Sequence, residues 1–183
     1  MNNTYIVIAL VLIVAGFSWY LYNSIIVAKM RVSEALSQID VQLKRRTDLI
    51  PNLVETVKGY AKHEKELFEK VTQQRTSLVS AQGPAEKAHV NNQLSQTLKS
   101  ILAVAEAYPD LKASQNFMEL QEEISDTENK IAYARQFYNS IVLNYNAKLL
   151  VFPNMFFAKA LNFKEAEFFG ATEEEKKPVK VSF

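Results

Sequence analysis

Hydrophobic residues follow two different rules along this chain. From Tyr5 to Ala28 no side chain is charged, and Ile6 to Leu21 is almost wholly Ile, Val, Leu, Ala and Phe. At about 1.5 Å of rise per residue, roughly 20 such residues cross a bilayer core of about 30 Å. Tyr5 stands at one end of the run and Trp19, Tyr20 and Tyr22 at the other, where aromatic rings prefer the headgroup level. A bundle built from the rest of the chain is too small to surround this run on all sides, so the pattern predicts a membrane span rather than a core helix.

Beyond the run the apolar positions become periodic. Leu36, Ile39, Leu43, Ile50, Leu53, Val57, Tyr60, Leu67, Val71 and Leu78 recur in steps of three and four, with Arg46, Glu64 and Gln74 in the remaining seam positions. Leu94, Leu98, Ile101, Ala105 and Tyr108 form a second seam. Phe117, Leu120, Ile124, Thr127, Ile131, Ala134, Tyr138, Ile141 and Tyr145 form a third. Such spacing places one apolar stripe on each helix and favours packing at shallow angles. No stretch sustains period-two alternation, so strands are not expected.

Prolines punctuate this pattern at Pro84, Pro109, Pro153 and Pro178, where the missing amide donor ends a helix. Pro51 is different, because the seam keeps its phase across it. A helix capped by Thr47 or Asp48 would hold Pro51 in its first turn, whereas an unbroken helix would kink there. Length favours a break or sharp kink: a helix from Lys29 to Gln82 would run about 80 Å, against about 36 Å for residues 85–108.

The expected organisation is a short flank at 1–4, a transmembrane helix and exit at 5–28, and a bundle at 29–152. Its helices are expected at about 29–47, 49–82, 85–108 and 114–150. A Phe-rich packing segment at 153–170 and a disordered charged tail at 171–183 complete the chain. The fold class is all-α, a transmembrane helix followed by an antiparallel bundle of long helices.

Composition narrows the chemistry. Charges nearly balance, 21 basic against 20 acidic, which counts against a nucleic-acid partner. Cysteine is absent, removing disulfides, thiolate metal sites and thiol nucleophiles. Only four glycines occur, and none forms a phosphate-binding loop. Glu86 and His89 have the Glu-x-x-His spacing of di-iron bundles, but such sites need two pairs and two further glutamates. His63-Glu64 lacks the second histidine of a zinc peptidase, and no serine sits in a Gly-x-Ser-x-Gly turn. No catalytic residue, metal or cofactor is expected.

The flank before the span carries no side-chain charge, and Ser18-Trp19-Tyr20 is a poor cleavage sequence, so a retained anchor is expected over a signal peptide. Lys29, Arg31, Lys44, Arg45 and Arg46 follow the span, and the positive-inside tendency places the bundle in the cytoplasm. The acidic cluster Glu119, Glu122, Glu123, Asp126 and Glu128 reads as a solvated face or as a docking surface for Lys44, Arg45 and Arg46 of the same or a neighbouring subunit. Phe156, Phe157, Phe163, Phe168 and Phe169 are too many rings for a free tail. They are expected to pack along the bundle, line a subunit interface, or dip into the membrane surface.

One block, Ser37 to Ala61 (SQIDVQLKRRTDLIPNLVETVKGYA), resembles the LemA family signature. So do Tyr108 to Ala113 (YPDLKA), Thr127 to Asn139 (TENKIAYARQFYN), Tyr22-Asn23, Tyr145-Asn146 and Phe152-Pro153. The resemblance runs in order over roughly residues 20–170. It implies a bacterial membrane-anchored protein with an antiparallel four-helix, bromodomain-like bundle and no established catalytic activity. The residues and the resemblance together suggest a single-pass protein of the bacterial inner membrane whose partners are the lipid bilayer and further copies of itself. It would act as a scaffold, or alternatively as an adaptor docking a membrane protease or envelope-signalling partner.

Overall fold

The computed structural model describes residues 2–61 and 63–170, and the expected charged tail at 171–183 lies outside the described residues. The described chain is helical: α1 (Asn2–Lys58), α2 (Lys65–Ser80), α3 (Gly83–Ala105), α4 (Pro109–Lys112), α5 (Gln115–Leu150) and α6 (Asn154–Ala160). Helix α1 is 57 residues long, or about 85 Å. Its first part is the apolar run, and only 6% of that window is buried. Among the described residues this is the one helix long and apolar enough to cross a membrane.

The second part of α1 is one member of a four-helix bundle. Ser24 meets Lys148 and Arg45 meets Asp126, so α5 runs antiparallel to α1 over most of its length. Thr47 meets Arg75 and Lys58 lies over the Phe68 ring, so α2 is also antiparallel to it. Asp40 meets Lys87 and Arg46 meets Asn91, which makes α3 parallel to α1. The seams read from the sequence face inward, with Ile39, Leu43, Ile50, Leu53 and Val57 against Ile124, Ile131, Leu94, Leu98 and Ile101 in one continuous core. Burial of such a stripe, more than helix propensity, is what holds long helices in water.

The break expected near Pro51 is not there. Helix α1 runs through Pro51, and the chain turns at 59–64 instead, so Tyr60 is exposed although it lies in phase. Proline removes the hydrogen bond that residue 51 would give to the carbonyl four residues earlier. That carbonyl belongs to Thr47, and it accepts a 2.8 Å bond from Arg75 Nε of α2. The orphaned acceptor is thus satisfied from a neighbouring helix, and the helix continues. The helix expected at 49–82 is therefore divided between the end of α1 and α2, which starts at Lys65, while α3 and α5 lie within about three residues of the bounds 85–108 and 114–150. At the start of α3, Glu86 accepts a 2.8 Å bond from the backbone N–H of Gln82, the N-cap residue, from one position further along than in a capping box. Glu86 therefore acts at the helix start, and His89 hydrogen-bonds Gln93 on the same helix at 3.1 Å.

After α5 the chain forms α6, then residues 163–168 return along α5 without regular secondary structure. This return segment, the strap, carries much of the Phe-rich region.

Candidate functional site

The polar heart of the bundle is Arg46. Its seam position follows from its phase with Leu43 and Ile50, and its side chain is fully buried. Nη1 donates to Asn91 Oδ1 and to Ser95 Oγ, both at 2.9 Å, and Nη2 lies 3.5 Å from Glu128 Oε2. Nε has no hydrogen-bond partner among the described residues. Burial pulls the guanidinium below its ordinary pKa and Glu128 opposes this. Arginine nonetheless stays charged at any physiological pH. Above this group a cleft of about 500 Å³ opens between α1, α3 and α5, lined by Arg46, Asn91, Ser95, Glu128, Arg135 and Asn139.

Basic and acidic blocks do meet within one chain, but through a subset of the expected residues. Arg45 pairs with Asp126 at 3.3 Å and Arg46 with Glu128, the two acids flanking the seam residue Thr127. Asp126 is held below the usual carboxylate range, first by a hydrogen bond from Lys130; burial opposes the shift, and the charges of Lys130 and Arg45 support it. Lys44 turns outward to Asp48 on its own helix. Glu122 and Glu123 are exposed and form no salt bridge among the described residues. Position 123 borders a separate groove with Glu55 and Glu119.

The phenylalanines separate into two groups. Phe169 is buried edge-on against Tyr138, while Phe157, Phe163 and Phe168 pack on the core margin. Phe156 stays exposed, its ring 6.1 Å from that of Phe152. Tyr5, Trp19, Tyr20 and Tyr22 are all exposed on α1.

Sequence reading missed a second polar device, a pair of Tyr-Asn steps on α5 that hold the strap. Tyr138 donates to the Glu167 carbonyl at 2.7 Å, and Asn139 clamps Phe169 from both sides, accepting from its N–H at 2.8 Å and donating to its carbonyl at 3.2 Å. Seven residues on, Tyr145 donates to the Lys164 carbonyl at 3.1 Å, and Asn146 clamps Ala166 through bonds of 2.8 and 3.0 Å. Seven helical residues rise about 10.5 Å, and three extended residues span about 10 Å, so the two repeats are commensurate. The strap is therefore extended and antiparallel to α5. Arg135 finishes the series by donating to the carbonyls of Phe169 and Gly170, both at 3.2 Å. Gly170 adopts φ +71°, where any side chain is strained, and a Cβ there would lie 2.7 Å from the Arg135 guanidinium and push it from its place. Burial raises the Tyr145 hydroxyl and, with a smaller contribution from Glu167, pushes Tyr138 up to about 12. The spacing of the Tyr-Asn steps was visible, but the groups they hold are backbone atoms.

The bundle, its span-like extension and this strap form one continuous unit, and residues 35–183 match the LemA family. The chain belongs to the LemA family. A LemA protein of Metamycoplasma hominis is 28% identical over 175 residues, covering 91% of this chain and 78% of that relative. A magnetosome protein MamQ of Paramagnetospirillum magneticum is 24% identical over 177 residues, covering 81% of this chain. The corresponding MamQ of Magnetospirillum gryphiswaldense is 22% identical over 174 residues. Both alignments span 64% of those magnetosome proteins' length. The Arg46 cluster and the Tyr-Asn clamps fall inside the stretch matched to the LemA family.

Proposed function

We propose that this chain is a membrane-anchored helical-bundle scaffold that self-associates at the bacterial cytoplasmic membrane, with no catalytic role. The observation that carries the reading is α1 itself. One helix is exposed and apolar over Tyr5 to Tyr20 and becomes a core element of the bundle after Leu21. So much bare apolar surface is stable in hydrocarbon and not in water. Lys29, Arg31 and the basic block beyond them favour a cytoplasmic bundle.

The polar groups of the cleft support structure rather than turnover. Arg46 is bonded to Asn91 and Ser95, and Arg135 holds the strap. Among the described residues no three His, Cys, Asp or Glu side chains gather in a way that would hold a metal ion. Self-association draws support from a lateral patch between α1 and α5, where Val41, Tyr133 and Phe137 lie exposed around a shallow groove. Tyr133 is 74% exposed, unusual for a ring on a monomer's surface. Relatives named for the family and for the magnetosome align over most of this chain, which suits a building part used in different settings.

Cross-linking in native membranes tests the reading: a ladder above monomer is expected, and Tyr133→Glu should reduce it. Monomer alone would sink it. The same patch also suits an adaptor that docks a membrane protease or envelope-signalling partner. Affinity purification that recovers one such protein at fixed stoichiometry, without a homo-oligomer, would favour that second reading.

A further inference from the structure

We infer that the bundle has a second membrane contact besides the α1 span: the tip formed by the end of α5 and by α6, which inserts shallowly into the headgroup and acyl boundary beside the span. This rests on the reading of α1 as a transmembrane helix.

The argument starts from level. Lys148 of α5 reaches Ser24 of α1, donating to its hydroxyl at 2.8 Å and its carbonyl at 3.2 Å. The helices are antiparallel, so the two residues of α5 that follow Lys148 descend about 3 Å toward the span, which puts Leu150 level with Tyr22. The chain leaves the helix at Val151, so the turn through Phe152 begins at that level. Phe163 sets the same height from the strap side, with its ring 6.4 Å from Tyr22 and 6.0 Å from Lys29 Nζ. Leu21 and Ile25 lie inside the uncharged run, yet both are buried. The packed end of the bundle thus overlaps the last turns of the span.

Surface chemistry at that end matches the level. Leu150, Val151, Phe152, Met155, Phe156 and Leu161 are all exposed, Phe152 at 77% and Phe156 at 61%. Phe152 and Phe156 stack edge to face, which fixes a two-ring wedge without burying it. Lys159 on α6 and Lys164 at the start of the strap are exposed nearby, placed for lipid phosphates. Apolar residues at the acyl boundary with lysines above them are the pattern of an interfacial helix. A bilayer is the occupant, because the span fixes its surface at this height. The remaining Phe-rich residues, Phe157, Phe163, Phe168 and Phe169, face the bundle and hold the tip in place.

A second foot changes what the anchor does. A lone span leaves the bundle free to tilt about its exit point, whereas a wedge on the α5 side resists tilting away from that side.

The test uses the full chain in nanodiscs of phosphatidylcholine doped with phosphatidylglycerol. The natural sequence has no cysteine, so single nitroxide labels are read cleanly from Phe152→Cys, Phe156→Cys, Val11→Cys in the span and Ala113→Cys at the far end. Collision with oxygen reports lipid, and collision with a water-soluble nickel chelate reports solvent. Expected is a severalfold higher oxygen-to-nickel ratio at 152 and 156 than at 113, with both sites shallower than 11. Nickel-dominated labels at 152 and 156, with an oxygen-dominated label at 11, would overturn the foot and leave the span intact. Labels at 152 and 156 shielded from both reagents would also overturn it, assigning the tip to a second copy of the chain. A nickel-dominated label at 11 would overturn the span reading and the foot with it.

Discussion

Helix α5 is gripped on two faces by different physics. Toward α1 it presents Ile124, Thr127, Ile131 and the rings of Tyr138 and Tyr145, a stripe held mainly by burial, with the Arg45–Asp126 and Arg46–Glu128 pairs beside it. Toward the strap it presents Tyr hydroxyls and Asn amides that hold backbone groups of residues 164–170. The first grip is non-directional and large, and it tolerates changes of side chain that keep volume. The second is directional and modest, and it is indifferent to most strap side chains because it reads carbonyls and amides. The difference teaches where the molecule is robust and where it can open: the α1–α5 seam is the permanent joint, and the strap is the part that can be released alone.

Arg46→Ala should give the largest effect, lowering the stability of the detergent-solubilised chain by about 3 kcal/mol, because a cavity opens and Asn91 and Ser95 lose their donor. Arg46→Met fills the volume but still leaves Asn91 and Ser95 without their donor, so in the same thermal and urea melts it should cost about 1–2 kcal/mol, less than Arg46→Ala. Equal losses in both variants would mean that the charge, more than the packing, holds the seam.

Removing a clamp should act locally. Asn146→Ala deletes both bonds to Ala166 and should raise exchange of the Ala166 amide as expected for a loss of about 1–2 kcal/mol, with core amides of α1 unchanged. Gly170→Ala should free the end of the strap, read as faster exchange at Phe169, because its Cβ meets Arg135. If either change also loosened α1, the two grips would be one cooperative unit.

Tyr138 makes the strap sensitive to strong alkali. Its folded pKa is raised by burial from the ordinary 10 to about 12, so the folded state favours the neutral hydroxyl. That contribution is full below pH 10 and is lost as pH rises through about 12. Tyr138→Phe should remove this alkaline loss and, at neutral pH, cost about 1 kcal/mol in strap exchange. Lys44→Ala should change least: its pair with Asp48 is exposed on one helix, and the melt should not move measurably.

Much of the seam was legible because burial leaves a period. The phase of Leu43 and Ile50 pointed to Arg46, and an arginine on that phase was the only sign of the polar cluster. Its partners Asn91 and Ser95 are 45 and 49 residues away and carry no local mark. Pro51 misled for the same reason, since the donor that rescues the Thr47 carbonyl comes from Arg75, 28 residues on. The acidic cluster was seen as a block, and only helix phase separates Asp126 and Glu128, which flank the seam, from Glu122 and Glu123, which do not pair. The strap was the least legible part, because backbone acceptors are present at every residue and pattern cannot say which are held. Its rings were noticed, but packing divides them, leaving Phe169 inside and Phe156 out.

The unbroken helix through Pro51 has a mechanical consequence. If its apolar run lies in a bilayer, as proposed, α1 is a lever arm whose long end is the bundle. From Tyr22 to Lys58 that arm is about 54 Å, so a change of about 10° in span tilt would carry the far end sideways by about 9 Å. Bilayer thickness and curvature, which set tilt, would thereby be converted into a displacement at the end most distant from the lipid. The Arg75 bond to the Thr47 carbonyl sits about two thirds of the way along the arm and stiffens the point where a proline would otherwise let it flex.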